Sequence, residues 1–173
     1  MITKLYLEIS VDGLIATSNR VSNESSEWSD SAWASWCGHC TASNNLIVGR
    51  ETYSELTQID VSDILNPDYK VVVSSQKLEL ADTWVQCSNP NQAVEYLTSC
   101  NVENIIVGGG RQLGLAFVKA GLIDEIVLDV QPILFGNGTQ LLGELDSCIQ
   151  LELKNCEMLG QGAIRVHYKL LKE

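Results

Sequence analysis

The chain has 173 residues and a mass of 19.0 kDa, with 45% hydrophobic residues and a mean hydropathy of +0.05. That is one domain's worth of chain, able to bury a core without disulfide or metal staples. Lys and Arg number 11 against 22 Asp and Glu, a net charge of −11, which excludes partners that need a basic footprint, namely nucleic-acid backbones and anionic membranes. An anionic ligand must then be held by local Arg and backbone N–H groups.

No apolar run approaches the ~18 residues of a membrane span. Met1-Ile2-Thr3-Lys4-Leu5-Tyr6 runs straight into a strand pattern and is no signal peptide. The chain is expected in the cytoplasm. Cys87, Cys100, Cys148 and Cys156 have no framework spacing, and only Cys37 and Cys40 stand at metal-ligand spacing. Free, mostly buried thiols and no metal site are expected.

In chain order, Ile2 to Val11 reads as a strand closed by the turn dipeptide Asp12-Gly13. Residues 17–31 are polar and read as a loop. Asp30 or Ser29 caps a helix running to about Ser43. Leu46-Ile47-Val48 is a short buried strand, and Glu51 to Ile59 a short helix. Val71-Val72-Val73 and Thr83 to Cys87 are further strands. Asn89 caps a helix with Pro90 at its first position and Ala93, Val94, Leu97 and Cys100 as its apolar stripe.

Ile105-Ile106-Val107 enters Gly108-Gly109-Gly110. A helix follows with Leu113, Ala116, Phe117 and Ala120 at helical spacing, and Gly121 as its C-cap. Ile126 to Val130 is a strand, and residues 147–158 and 162–170 form a closing antiparallel pair. Short strands apolar on both faces, alternating with helices, predict an α/β fold: a mixed, mostly parallel twisted sheet flanked by helices, with antiparallel C-terminal edge strands. Ligands of such sheets sit at the carboxyl ends of the strands.

Three turns fall there. Gly49-Arg50-Glu51-Thr52 opens a helix, whose N-terminus and Arg50 suit an anion; the plain alternative is a surface Arg and an ordinary cap. Ser74-Ser75-Gln76-Lys77 gathers hydroxyls, an amide and an ammonium, or is only a polar loop. Gly108-Gly109-Gly110-Arg111-Gln112 lets phosphates approach the backbone closely. It is not the Rossmann fingerprint, since Leu113 stands where the third Gly belongs, and no P-loop Lys follows. Three such turns favour a ligand with several phosphates, and a 2′-phosphorylated dinucleotide suits two Arg and two Ser better than NAD.

Gly49-Arg50-Glu51-Thr52-Tyr53, Val73-Ser74-Ser75-Gln76 and Val107-Gly108-Gly109-Gly110-Arg111, in this order, resemble the NADPH-binding segments of the dihydrofolate reductase superfamily. Asp12-Gly13-Leu14-Ile15-Ala16 resembles its first strand exit. Gly121-Leu122-Ile123-Asp124-Glu125 and Pro132-Ile133-Leu134-Phe135-Gly136-Asn137-Gly138 point to one branch. That branch is the C-terminal reductase domain of the bifunctional deaminase-reductase of riboflavin biosynthesis and its stand-alone relatives. The resemblance covers essentially the whole chain as one domain.

It implies an NADPH-dependent reductase acting on a pterin-like or pyrimidine substrate. Arg50 and Thr52 would hold phosphates, and Ser74, Ser75 and Gln76 would flank the adenosine and its 2′-phosphate. Gly108, Gly109, Gly110, Arg111 and Gln112 would wrap the pyrophosphate. Ile15 and Ala16 would meet the nicotinamide carboxamide, and a homodimer through the last strands is implied. The superfamily's substrate carboxylate falls at Trp33 here, so the acid is missing; Asp30, on the first turn of the same helix, is the candidate replacement as proton donor. The Asp-Pro element after the second strand is also missing.

Trp36-Cys37-Gly38-His39-Cys40 reproduces the disulfide isomerase motif, but Trp33, Trp36, Cys37 and Cys40 follow one helical face, which predicts inward packing. Alternation places His167 on a polar face with Arg165 and Lys169, a solvated position, and Asp124 and Glu125 at a surface strand start. Asp129 interrupts an apolar strand and serves either a polar network or a substrate. The favoured function is a reductase of the 5-amino-6-(5-phosphoribosylamino)uracil type. Dihydrofolate reduction, disulfide exchange and non-catalytic nucleotide binding are the alternatives.

Overall fold

The computed structural model of the chain describes residues 1–17, 30–59 and 63–171, the side chains of residues 30–32 excepted. Its elements are β1 (Ile2–Ser10), β2 (Leu14–Thr17), α1 (Asp30–Ala42), β3 (Asn45–Gly49), α2 (Arg50–Leu56), β4 (Tyr69–Val73) and β5 (Trp84–Cys87). After these come α3 (Pro90–Ser99), β6 (Asn104–Val107), α4 (Arg111–Lys119), β7 (Glu125–Gln131), β8 (Gly138–Gln140), β9 (Leu151–Gly160) and β10 (Ala163–Leu170).

The main sheet runs β5-β4-β3-β6-β1-β7-β10-β9. Every pairing from β5 through β7 is parallel, and β10 and β9 close the sheet antiparallel. This is the expected mixed sheet. Because the pleat alternates, neighbouring strand residues serve opposite layers. Leu5, Leu7, Ile47, Val71 and Val107 pack with α3 and α4 residues such as Leu97 and Phe117. Tyr6, Leu46, Val48, Val72 and Ile106 pack with Trp36, Cys37 and Cys40 of α1 and Tyr53 of α2. No described helix is long and apolar enough to cross a membrane.

The middle of the sheet opens where the ligand was expected. β3 and β6 share one register position, Ile47 opposite Val107, and Gly108 N–H donates to Ile47 O at 2.9 Å. Beyond that bond the strands give way to α2 and α4. At the other end, the buried Asn45 amide donates to Ser43 O and Asn104 O and accepts from Ile106 N–H at 3.0 Å. The pair is thus stitched at its start and free at its exit.

Several expectations are corrected. α2 starts at Arg50 and stops at Leu56, and the first strand of the closing pair starts at Leu151. On α4 the buried face is Leu113, Gly114, Phe117 and Val118, with Ala116 and Ala120 exposed. Gly114 lets the helix approach the sheet: a Cβ there would lie 3.4 Å from Leu5. Residues 14–17 and 138–140 add a two-stranded sheet of β2 and β8. Its strands meet so closely that a Cβ on Gly138 would lie 2.0 Å from Ala16 O.

His167 is not solvated, and Glu125 is not at the surface. Glu125 is 4% exposed and is held by Lys154 Nζ and by His167 Nε2 at 2.8 Å. Burial acts to raise its pKa, but the hydrogen bonds from Lys154 and His167 outweigh it and hold the carboxyl below the usual Glu range. Of the six free thiols, Cys37, Cys40 and Cys87 are buried, while Cys148 and Cys156 are exposed. Cys37 and Cys40 face the core well beyond the first turn of α1. Burial pushes the Cys37 thiol up to about 11 and raises Cys40 further.

Candidate functional site

The exits of β3, β4 and β6 enclose a cleft of about 800 Å³, within the ~300–1,000 Å³ of small-molecule sites. Ile15, Gly49, Arg50, Thr52, Ser74, Ser75, Gln76, Gly110, Arg111 and Gln112 line it together. The three turns, far apart in the chain, meet in one space. Two of the four arginines of this acidic chain, Arg50 and Arg111, stand on its walls.

Backbone donors face the same space. The N-caps of α2 and α4 are Gly49 and Gly110, and neither helix start has a side-chain cap. The first N–H groups of each helix therefore remain open to a ligand. By contrast, the N-terminus of α3 is closed by Asn89 Oδ1, which accepts from Gln92 N–H at 3.1 Å. Gly110 has open space where a Cβ would stand. Gly108 and Gly109 are glycine for a different reason: a Cβ would collide with Trp36 at 2.6 Å and with Leu113 at 2.6 Å. The latter two border a smaller pocket and not the main cleft.

The second turn is braced before any ligand arrives. Ser74 Oγ donates to Gln76 O and accepts from Gln76 N–H. Gln86 Nε2 ties down Ser74 O and Gln76 O. Arg50 Nη1 donates to Gln76 Oε1, linking the first turn to the second. The Ser74 hydroxyl is thus committed to the loop, whereas Ser75 is exposed at the cleft. Ala16 pairs with Thr139 of β8 and lines neither pocket. Asp30 opens α1, but its side chain lies outside the described residues. Ser88, Asn89, Pro90 and Thr139 also line the cleft; sequence reasoning saw Asn89 and Pro90 only as a helix start.

The smaller pocket, about 220 Å³, adjoins the cleft through Ile15, Thr52 and Gly110. Its walls are Tyr6, Leu7 and Glu8 of β1, Trp33 and Trp36 of α1, Glu55 of α2 and the three glycines. Trp33 and Trp36 stack with centroids 5.2 Å apart and planes 25° from parallel. Flat aromatic walls suit a heteroaromatic ring. Trp33 occupies the pocket where the superfamily acid was expected, and the carboxylates come from Glu8 and Glu55 instead.

Glu8 was missed because it reads as a single acid in a weakly alternating strand. Its place comes from register. Glu8 stands opposite Asp129 of β7, which stands opposite Arg165 of β10, which stands opposite Glu157 of β9. Asp129 is fully buried and takes Arg165 Nε at 2.7 Å, Arg165 Nη2 at 2.8 Å and the Tyr6 hydroxyl at 2.7 Å. Arg165 also donates to Glu157 at 3.2 Å, to the Tyr6 and Ser35 hydroxyls and to His39 Nε2 at 3.1 Å. Burial, then Arg165, keeps His39 below its usual pKa, so a neutral ring accepts that bond. Asp129 therefore serves a polar network. Burial and the Asp129 charge push Glu8 up to about 8.

A model of the RibD C-terminal domain matches residues 4–165. YwjB of Bacillus subtilis, an uncharacterized protein, is 26% identical over 168 residues, covering 96% of each chain. YyaP of the same organism, also uncharacterized, is 29% identical over 66 residues, 38% of this chain and 35% of its own. Among solved structures, a candidate riboflavin biosynthesis protein from Shewanella sp. PV-4 superposes with a TM-score of 0.77 at 21% identity, covering 99% of this chain and 100% of that one. Acinetobacter baumannii RibD gives 0.75 at 18% identity; the match covers 99% of this chain but 58% of that one.

Proposed function

The chain belongs to the RibD C-terminal domain family, and from that premise we propose that it is an NADPH-dependent reductase of the riboflavin-pathway type. Its substrate is a pyrimidine of the 5-amino-6-(5-phosphoribosylamino)uracil class. One observation carries the reading: the cleft that carries Arg50 and Arg111 and the aromatic pocket adjoin at Ile15, Thr52 and Gly110. A dinucleotide filling the first would present its far end to a ring in the second.

The residues present fit NADPH. The open helix starts at Gly49 and Gly110 and the Arg50 and Arg111 guanidinium groups would hold phosphates. Arg50 with Ser75 would face the 2′-phosphate. When bound, NADPH supplies the hydride. The chain's own residues do the rest: β2 and Thr52 border the junction, and Trp33 and Trp36 hold the substrate ring flat and exclude water.

The small pocket favours an enzyme over a plain nucleotide-binding protein, which needs no second site. Trp33 in the acid's place favours a pyrimidine over dihydrofolate. The test is loss of NADPH absorbance with 5-amino-6-ribosylaminouracil 5′-phosphate against dihydrofolate. Turnover of the first supports the reading, and turnover of neither overturns it. The outermost strand β9, exposed along nearly its whole length with Leu153 55% and Met158 72% exposed, supports a homodimer through this edge.

A further inference from the structure

We infer that Glu8 is a specificity-determining residue: a neutral carboxylic acid in the aromatic pocket that pairs with the cyclic-amide edge of a pyrimidine substrate. The inference deepens the proposed reductase reading and rests on it only in taking the small pocket as the substrate's.

One polar row of the sheet carries an excess of acids. Glu8, Asp129, Arg165 and Glu157 are consecutive cross-strand neighbours on one face of the sheet. Three carboxylates thus share one guanidinium. Asp129 takes two of its donors, and Glu157, Ser35, Tyr6 and His39 take the remaining capacity. Lys4, two residues before Tyr6 on the same face, is paired with Glu125 at 3.7 Å. Among the described residues nothing bonds to the Glu8 carboxyl. A carboxylate beside another carboxylate, with the nearby cations spent, favours its protonated form.

The groups around Glu8 agree. From β1 comes the Tyr6 hydroxyl, from β7 Asp129, from β10 Arg165 and from β9 Glu157. From α1 come the buried Cys37 thiol and neutral His39, and from α2 the pocket-lining Glu55. Among the described residues none is an uncommitted cation. Glu8 nevertheless lines a pocket walled by stacked tryptophans and the glycine turn. Among the described residues a polar group placed there finds no partner, which leaves it free to meet a ligand or water. A neutral acid offers one O–H donor and one carbonyl acceptor side by side. A ring carbonyl next to a ring N–H matches both, whereas a cationic amidine edge matches only the ionised form. The raised pKa of about 8 places the neutral form at physiological pH.

The experiment titrates 5,6-diaminouracil and 2,4-diaminopyrimidine into the full chain, with and without NADPH, following tryptophan fluorescence. Wild type should bind diaminouracil, with affinity falling as pH rises through about 8. Glu8→Ala should lose about tenfold or more. Glu8→Gln, which keeps a donor and an acceptor, should stay within about threefold and lose the pH dependence. NADPH affinity should be unchanged in both variants. No binding of diaminouracil to wild type, or equal binding to Glu8→Ala, overturns the assignment. So does preferred binding of 2,4-diaminopyrimidine that Glu8→Gln abolishes. Failure of wild type to bind NADPH overturns the reductase reading alone, and Glu8-dependent binding of diaminouracil supports the assignment in either case.

Discussion

A Cβ on Gly108 would stand 2.6 Å from Trp36 Cζ2 and 2.7 Å from its Nε1: the first glycine of the β6 exit is in direct contact with the indole of α1. The glycine turn and the aromatic wall are one packed unit. Glycine here serves the small pocket, since Gly110 and not Gly108 lines the main cleft.

Gly108→Ala should therefore act on the small pocket. Trp36 is 7% exposed and stacked on Trp33, so it has little room to yield. Overpacking of this kind costs about 1–3 kcal/mol. Urea unfolding should show that loss, and native tryptophan emission should shift. NADPH affinity should change little, since Gly108 does not line the main cleft. Unaltered stability and emission would mean that the contact is easily relieved.

Arg50 should set cofactor preference. It stands over the β4 turn, bonded to Gln76 beside the exposed Ser75. A 2′-phosphate there would gain charge-assisted hydrogen bonds worth about 1.5–3 kcal/mol, or roughly ten- to a hundredfold in affinity. Titration should give tighter binding of NADPH than of NADH, and Arg50→Ala should erase most of the difference. Equal affinities in the wild type would sink the 2′-phosphate assignment.

Cys37 and Cys40 should be chemically silent in the folded chain. They are 1% and 0% exposed, and burial raises both thiols above their ordinary range. Thiol labelling at neutral pH should be slow at these two in native protein and fast after denaturation, while the exposed Cys148 labels at once. Replacing both buried cysteines by Ala should cost about 1–2 kcal/mol through lost packing and leave NADPH binding intact. Rapid native labelling of Cys37 would revive disulfide exchange.

Glu125 should make the fold acid-sensitive. Its folded pKa lies below the unfolded one, so its contribution to stability is fully present above the ordinary Glu value and is lost as pH falls through the folded value. Glu125→Gln should lower stability by about 1–3 kcal/mol at neutral pH, where Lys154 and His167 lose a charged acceptor. The two proteins should converge in acid. A constant gap across the acid range would show that ionisation of Glu125 contributes nothing.

The cleft was legible in the sequence because its signals are local. An all-apolar triplet such as Val71-Val72-Val73 marks a strand buried on both faces, and the residue after it must lie at a sheet exit. Gly49 and Gly110, placed just before helical patterns, mark helix starts without side-chain caps. These features need only a few neighbouring residues, so they survive without knowledge of the fold. The buried stripe of α1 was readable by the same logic, because helical spacing alone puts Trp36, Cys37 and Cys40 on one face.

Other features belonged to the tertiary structure. The α4 stripe turned because Gly114 allows the helix to seat against Leu5, a partner more than a hundred residues earlier. His167 looked solvated because alternation reports a face and not what covers it; Glu125 and β9 supply the cover. Glu8 shows the same limit most fully. By itself it is one acid in a strand. Only the register of β1, β7, β10 and β9 aligns it with two other carboxylates and one spent arginine, and only the packing of α1 brings the tryptophans over it. Charge interactions act through space, and the sequence orders residues only along the chain. The cleft at the strand exits was therefore readable from local pattern, while the aromatic pocket had to wait for the strands to be set side by side.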